Sequence, residues 1–225
     1  MLRYDLNVVK IELENSANRR YGTVMTGKPR KKPPTRYHHG DLRATLVTAA
    51  RHVLEREGYD ALSLRAAARA AGVSQAAPYH HFRDKEALLA AVAAQGYGEL
   101  TAAMKAHMAA QTDAQARLDA SGIGYVGFAV ANPALFRLMF GMAHGLADDP
   151  ALKAAGAAAY GVLQQAIADV LAAAGKPASE APIASLKAWS LVHGLAKLVL
   201  EAGVTPGDYG MGDIEALARA VLAKS

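Results

Sequence analysis

The chain has 225 residues, 52% of them apolar and 20% charged, with 25 Lys and Arg against 20 Asp and Glu for a net charge of +5. That length suffices for one large packed domain or two small ones, and the lack of cysteine excludes a disulfide framework, a thiolate metal site and a cysteine nucleophile. Charge is uneven: residues 1–90 hold 16 basic and 9 acidic side chains, a net of +7, and residues 91–225 hold 9 and 11, a net of −2, so the basic end suits a phosphate-bearing partner.

Most of that excess lies in residues 1–36, with 9 basic and 3 acidic side chains. Val9 to Leu13 alternate apolar and polar like a short strand, and Gly27 to Thr35 read as a flexible basic linker. Three readings stay open: an arm that follows a nucleic-acid backbone, a solvated leader, and a native chain that starts at Met25.

From Asp41 the pattern turns helical. Leu42, Leu46, Val47, Ala50, Val53 and Leu54 share one face of a helix that runs to Glu57, with Gly58 as its stop. Ser63 is placed to cap a short alanine-rich helix, Gly72 to end it in the left-handed conformation, and Val73 to anchor the turn. Ser74 is expected to cap a second helix carrying Pro78 late in its first turn, with Gln75, Ala76, Tyr79 and His80 outward. Asp84 should cap a long helix reaching about Ala110, and Lys85 in its first turn could clamp a phosphate. Two short helices about a tight turn are a DNA-reading unit, and Arg65, Ser74, Gln75, Ala76, Tyr79, His80 and Lys85 are its candidate contacts.

Tyr37-His-His-Gly-Asp-Leu-Arg43, the segment 63–82 and Tyr79-His-His-Phe-Arg-Asp-Lys-Glu86 resemble the TetR/AcrR family of transcriptional regulators over residues 37–95. The resemblance implies a three-helix DNA-binding domain, a homodimer, a small-molecule effector bound in a C-terminal helical domain, and a lysine at position 85 on the DNA backbone.

Downstream, Asn132-Pro133 should cap and start a helix Ala134 to Phe140, and Pro150, Gly175-Lys-Pro177 and Gly203-Val-Thr-Pro206 bound further helices near 151–173, 180–202 and 212–223. Asp148-Asp149 is expected to be a cap and dipole partner rather than a paired-carboxylate site. Phe128, Phe136, Met139 and Met142, with Phe140, are large or soft apolar candidates for a ligand chamber, though plain packing explains any one of them. Trp189 and His193 form an i, i+4 pair; Trp189-Ser-Leu-Val-His193-Gly194 resembles the Trp-His-Gly (WHG) element of one C-terminal subclass of these regulators, which implies a place in the regulatory domain. The last two helices carry Leu191, Leu195, Leu198 and Ile214, Leu217, Val221, more apolar surface than a monomer needs.

Other chemistry is weak. The pairs His38-His39 and His80-His81 point apart on a helix and make poor chelates, so neither a metal nor a cofactor is expected, and no nucleophile-elbow pattern supports an enzyme. The most hydrophobic segment, Ile183 to Gly203, is interrupted by Lys187, His193 and Lys197, so no membrane span is expected; the N-terminus lacks a signal peptide's apolar core, which points to the cytoplasm. The expected protein is all-α, with about nine helices: an arm 1–36, a helix-turn-helix domain 37–95 and a sensing and dimerisation domain 96–225. Its expected function is that of a DNA-binding regulator, a homodimer through the last two helices that represses from a pseudo-palindromic operator and is released by a small apolar or aromatic effector. The alternatives are a helical DNA-binding or scaffolding protein without an inducer and, remotely, an enzyme.

Overall fold

Side-chain caps set the helix starts. In the computed structural model, which describes residues 41–141 and 148–223, Asp41 accepts from Ala44 N at 2.8 Å, Ser63 from Ala66 N at 3.0 Å, Asp84 from Ala87 N at 2.7 Å and Asp149 from Leu152 N at 2.9 Å. Each satisfies a helix N–H that has no partner within its own helix. The helices are α1 (Leu42–Glu57), α2 (Leu64–Ala71), α3 (Lys85–Met108), α4 (Ala114–Ala131), α5 (Pro133–Gly141), α6 (Pro150–Ala173), α7 (Ala181–Glu201) and α8 (Ile214–Leu222). The described residues thus hold eight α-helices, three short 3-10 turns and no strand. The Val9–Leu13 pattern and the basic linker lie outside the described residues.

Apolar periodicity becomes core at both ends of α3. Leu46, Ala50 and Leu54 of α1 meet Leu62, Phe82 and Leu88 in the smaller head. Leu100 and Met104, further along α3, join Val126 of α4, Leu135 and Phe136 of α5 and Val192 of α7 in the same continuous cluster. The 24 residues of α3 span about 36 Å at 1.5 Å per residue, so one unbroken rod carries the head and the body.

Gly124 sets how closely α3 and α4 approach. A Cβ there would sit 2.9 Å from the Ala103 carbonyl oxygen and 3.1 Å from Met104 Cα, both backbone atoms that cannot turn aside.

Asn132 does not cap the following helix as expected. Its amide is committed elsewhere: Nδ2 donates to Phe128 O at 2.9 Å and Oδ1 accepts from Arg51 Nη2 at 2.7 Å. These bonds hold the corner at which α4 and α5 turn by 106°.

One helix among the described residues matches a membrane span in length and composition alone. Ala178–Glu201 is long and apolar enough to cross a membrane by length and composition, with mean hydropathy 1.3, because its Leu, Val, Ala and Ile outweigh five ionisable residues, Glu180, Lys187, His193, Lys197 and Glu201. Its apolar face divides in two. Leu195 is buried within the chain, as is Leu217 of α8, whereas Ile183, Leu191 and Leu198 stand 59%, 45% and 51% exposed.

Candidate DNA-binding and effector sites

The reading unit begins as the sequence dictates. Ala66, Ala67 and Ala68 of α2 are buried, their small side chains allowing close crossing. Gly72 then adopts φ 68°, ψ 29°, a left-handed conformation that costs glycine little. Val73 N donates to Ala68 O at 3.0 Å, closing the helix end, and Val73 packs on the core.

The second half of the unit departs from expectation. An α-helix capped at Ser74 would close its first turn with an N–H from residue 78, and Pro78 has none. The Ser74 carbonyl instead accepts from Ala77 N at 3.0 Å, and the chain forms a single 3-10 turn, Ala77–His80, with no side-chain cap. Ser74 is therefore not a cap. Pro78 and Phe82 point inward, while Ser74, Gln75, Ala76, Tyr79 and His80 are exposed, as is Arg65 on α2. Lys85 is held in place: its Nζ donates to Tyr59 O at 3.2 Å and lies 4.3 Å from the centre of the Tyr59 ring. An ammonium has three donors, so two remain for a phosphate beside the α3 N-terminus.

In the body, side chains of α3, α4, α6 and α7, with Phe140 of α5 and Leu222 of α8, line a half-open chamber of about 440 Å³. Trp189 lines it, with Tyr97, Tyr125, Phe140 and Tyr160 as further aromatic walls. Tyr125 is the buried centre of this group, its hydroxyl 2.8 Å from His193 Nδ1. Burial pushes the Tyr125 phenol above its ordinary pKa, with the Trp189 indole opposing. Burial also lowers the His193 imidazole, Lys197 lowers it further and Glu201 opposes. Both groups are thus held in their neutral forms.

The other chamber candidates lie elsewhere. Phe128 of α4 and Phe136 of α5 are 7% and 1% exposed and form core beside the chamber rather than its wall, Phe136 because α5 turns its apolar face back onto α3 and α4. Met139 fills the space over Gly96, and its carbonyl accepts from the Tyr97 hydroxyl at 3.2 Å. His193 backs Tyr125 from behind the lining. Met142 lies outside the described residues. The sequence reading missed Tyr97, Tyr125 and Tyr160, as well as Gln115 and Asp119 on the same wall. Residues 115, 118, 119, 122 and 125 fall on one helical stripe, a signal that marks an inward face but not a void.

Between head and body sits another unforeseen residue. Arg51 of α1 bonds Glu55 Oε1 at 2.7 Å, Glu99 on α3 and the Asn132 corner. Burial lowers the guanidinium pKa, but the two carboxylates more than offset it and the net shift is upward.

Residues 46–92 match the family described as "Bacterial regulatory proteins, tetR family", and residues 118–224 match "Tetracyclin repressor-like, C-terminal domain". No curated protein matches the chain. Among solved structures, a protein of unknown function from Rhodococcus sp. RHA1 is 36% identical, with 84% of this chain and 97% of that one covered and a TM-score of 0.67. A TetR family transcription regulator from Marinobacter aquaeolei VT8 is 20% identical, with 80% and 92% covered and a TM-score of 0.59. The FadR regulator from Bacillus subtilis, in complex with stearoyl-CoA, is 16% identical, with 80% and 95% covered and a TM-score of 0.58. The last two share the fold alone.

Proposed function

We propose that this chain, which belongs to the TetR family of bacterial DNA-binding transcription regulators, works in the cytoplasm as a homodimeric repressor that a small molecule releases from its operator. The observation that carries the reading is the aromatic chamber, because Tyr97, Leu100 and Met104 on its wall belong to α3, the rod whose N-terminus adjoins the reading turn. A ligand that fits the chamber better in one position of α3 shifts the spacing between two reading heads by that difference in affinity.

In this reading residues 37–95 bind DNA through Arg65, Ser74, Gln75, Ala76, Tyr79, His80 and Lys85, and residues 96–225 sense and dimerise. Base-edge groups come from the 3-10 turn and phosphate contacts from Lys85. The dimer forms through α7 and α8: Leu191 and Leu198 of α7 and Val221 of α8 line a groove of about 340 Å³, and Ile183, Leu191 and Leu198 are exposed. Trp189, His193 and Gly194 support the WHG subclass, with the Tyr125–His193 bond as the part this element plays in the chamber.

The test is to map the sites the protein occupies in its genome and titrate the recovered duplex by fluorescence anisotropy. Two copies should bind each site, with half-sites about 10 to 10.5 base pairs or a multiple apart. A single copy per site, or no enriched site, refutes the reading. A genome-mapped duplex that no chamber ligand releases identifies a DNA-binding protein without an inducer instead.

A further inference from the structure

The polar groups on the chamber wall are unequally committed. The Ser121 hydroxyl donates to Leu118 O at 2.7 Å, the Tyr97 hydroxyl to Met139 O, and the Gln115 amide to Asp119 Oδ1 at 2.8 Å. The Ser121 and Tyr97 hydroxyl hydrogens and one N–H of the Gln115 amide are thereby committed, and the strongest acceptor the wall offers is the second oxygen of Asp119.

Asp119 is also the only charged side chain among the described lining residues. It is half-buried, and among the described residues no Lys, Arg or His pairs with it. A partly desolvated carboxylate held by a single amide is an incomplete site, because its charge lacks the counter-charge that normally accompanies burial. Tyr97, Tyr125, Phe140, Tyr160 and Trp189 stand among aliphatic side chains on the remaining walls, and ring faces attract a cation.

We infer that the chamber takes a lipophilic cation, an amine or quaternary ammonium whose charged head meets Asp119 and whose apolar body runs along α4 toward Tyr125 and Phe140. The two ends are six residues apart on one helix, about 9 Å, so head and body occupy one elongated ligand rather than two sites. An anionic head would face Asp119 without a compensating base. This inference rests on the chamber being the effector site, and the test separates the two.

Trp189 is the single tryptophan of the chain and lies on the wall, so its emission reports occupancy. The full-length protein is titrated with three probes that share one tail: decyltrimethylammonium, decanol and decanoate. The cation should bind about tenfold or more tighter than decanoate, with the alcohol between them. Asp119→Asn should bring cation and alcohol to within about twofold of each other, and Asp119→Glu should restore the preference for the cation. Equal binding of cation and alcohol to the parent protein, or a preference that Asp119→Asn leaves intact, overturns the charge assignment while leaving an apolar effector chamber. No response to any of the three overturns both.

Discussion

Arg51 ties α1 of the reading head to α3 and to the α4–α5 corner of the body, so its removal measures how much this polar clasp adds to the apolar core that joins the two. It contacts α1, α3 and the α4–α5 corner at once. The side chain is 19% exposed and its carboxylate partners 34% and 36%, which places the network between a surface ion pair, worth about 0–1 kcal/mol, and a buried one, whose breakage costs about 3–5 kcal/mol. Arg51→Met keeps much of the aliphatic packing and should cost about 2 kcal/mol, since Glu99 loses its cation while Asn132 keeps its bond to Phe128. For a chain of this size that is a fall of about 4–8 °C in Tm, read by calorimetry. A double-mutant cycle with Glu99→Gln should return a coupling of at least about 0.5 kcal/mol. If the clasp also transmits the effector's signal, Arg51→Met should reduce the loss of operator affinity that a chamber ligand causes, an effect that lower stability alone does not produce. A melting point within about 1 °C of the parent, together with unchanged ligand response, refutes both parts of the argument.

Tyr79→Ala should weaken operator binding in anisotropy titrations with Tm unchanged, because the ring is 53% exposed. Phe82→Ala, by contrast, removes a side chain 3% exposed and should cost about 3–5 kcal/mol of stability. Leu198→Glu should shift the sedimenting species from dimer to monomer and abolish operator binding, since an unpaired charge would enter an apolar interface. His193 has a lowered pKa in the folded chain, so its contribution to stability is fully present above the ordinary histidine value near 6.5 and is lost as pH falls below it. Melting curves should therefore decline on acidification through that window, and His193→Gln should flatten the decline. Removing residues 1–36 should lower affinity for operator and random duplex by similar factors and flatten the salt dependence, as expected for phosphate contacts.

Local rules made the head legible. Asp41, Ser63 and Asp84 cap the helices they precede, and Gly72 turns where only a left-handed residue fits, because each of these choices depends on atoms within three or four residues. The 3-10 turn was also written locally, in Pro78. Its missing N–H decides which donor reaches the Ser74 carbonyl, and counting donors one by one would have found it. The chamber was less legible. Tyr97, Tyr125, Tyr160 and Trp189 come from four helices, and the Tyr125–His193 bond joins residues 68 apart. Periodicity identifies their inward faces, but a void and a packed core share one pattern.

The geometry of α3 explains how such distant groups can act together. Its first turn carries Lys85, docked on Tyr59 beside the reading turn; three turns on, Tyr97 lines the chamber and Glu99 receives Arg51. The close fit of Gly124 against Ala103 and Met104 hinders α3 from sliding over α4, so under the proposed function a ligand that moved the chamber wall would move the rod rather than the local side chains. Packed interiors respond as bodies with a few discrete arrangements, not as continuously soft media. Rotation of α3 about that contact therefore displaces the head at its far end more than the chamber wall beside it, and the Arg51 clasp determines whether α1 follows.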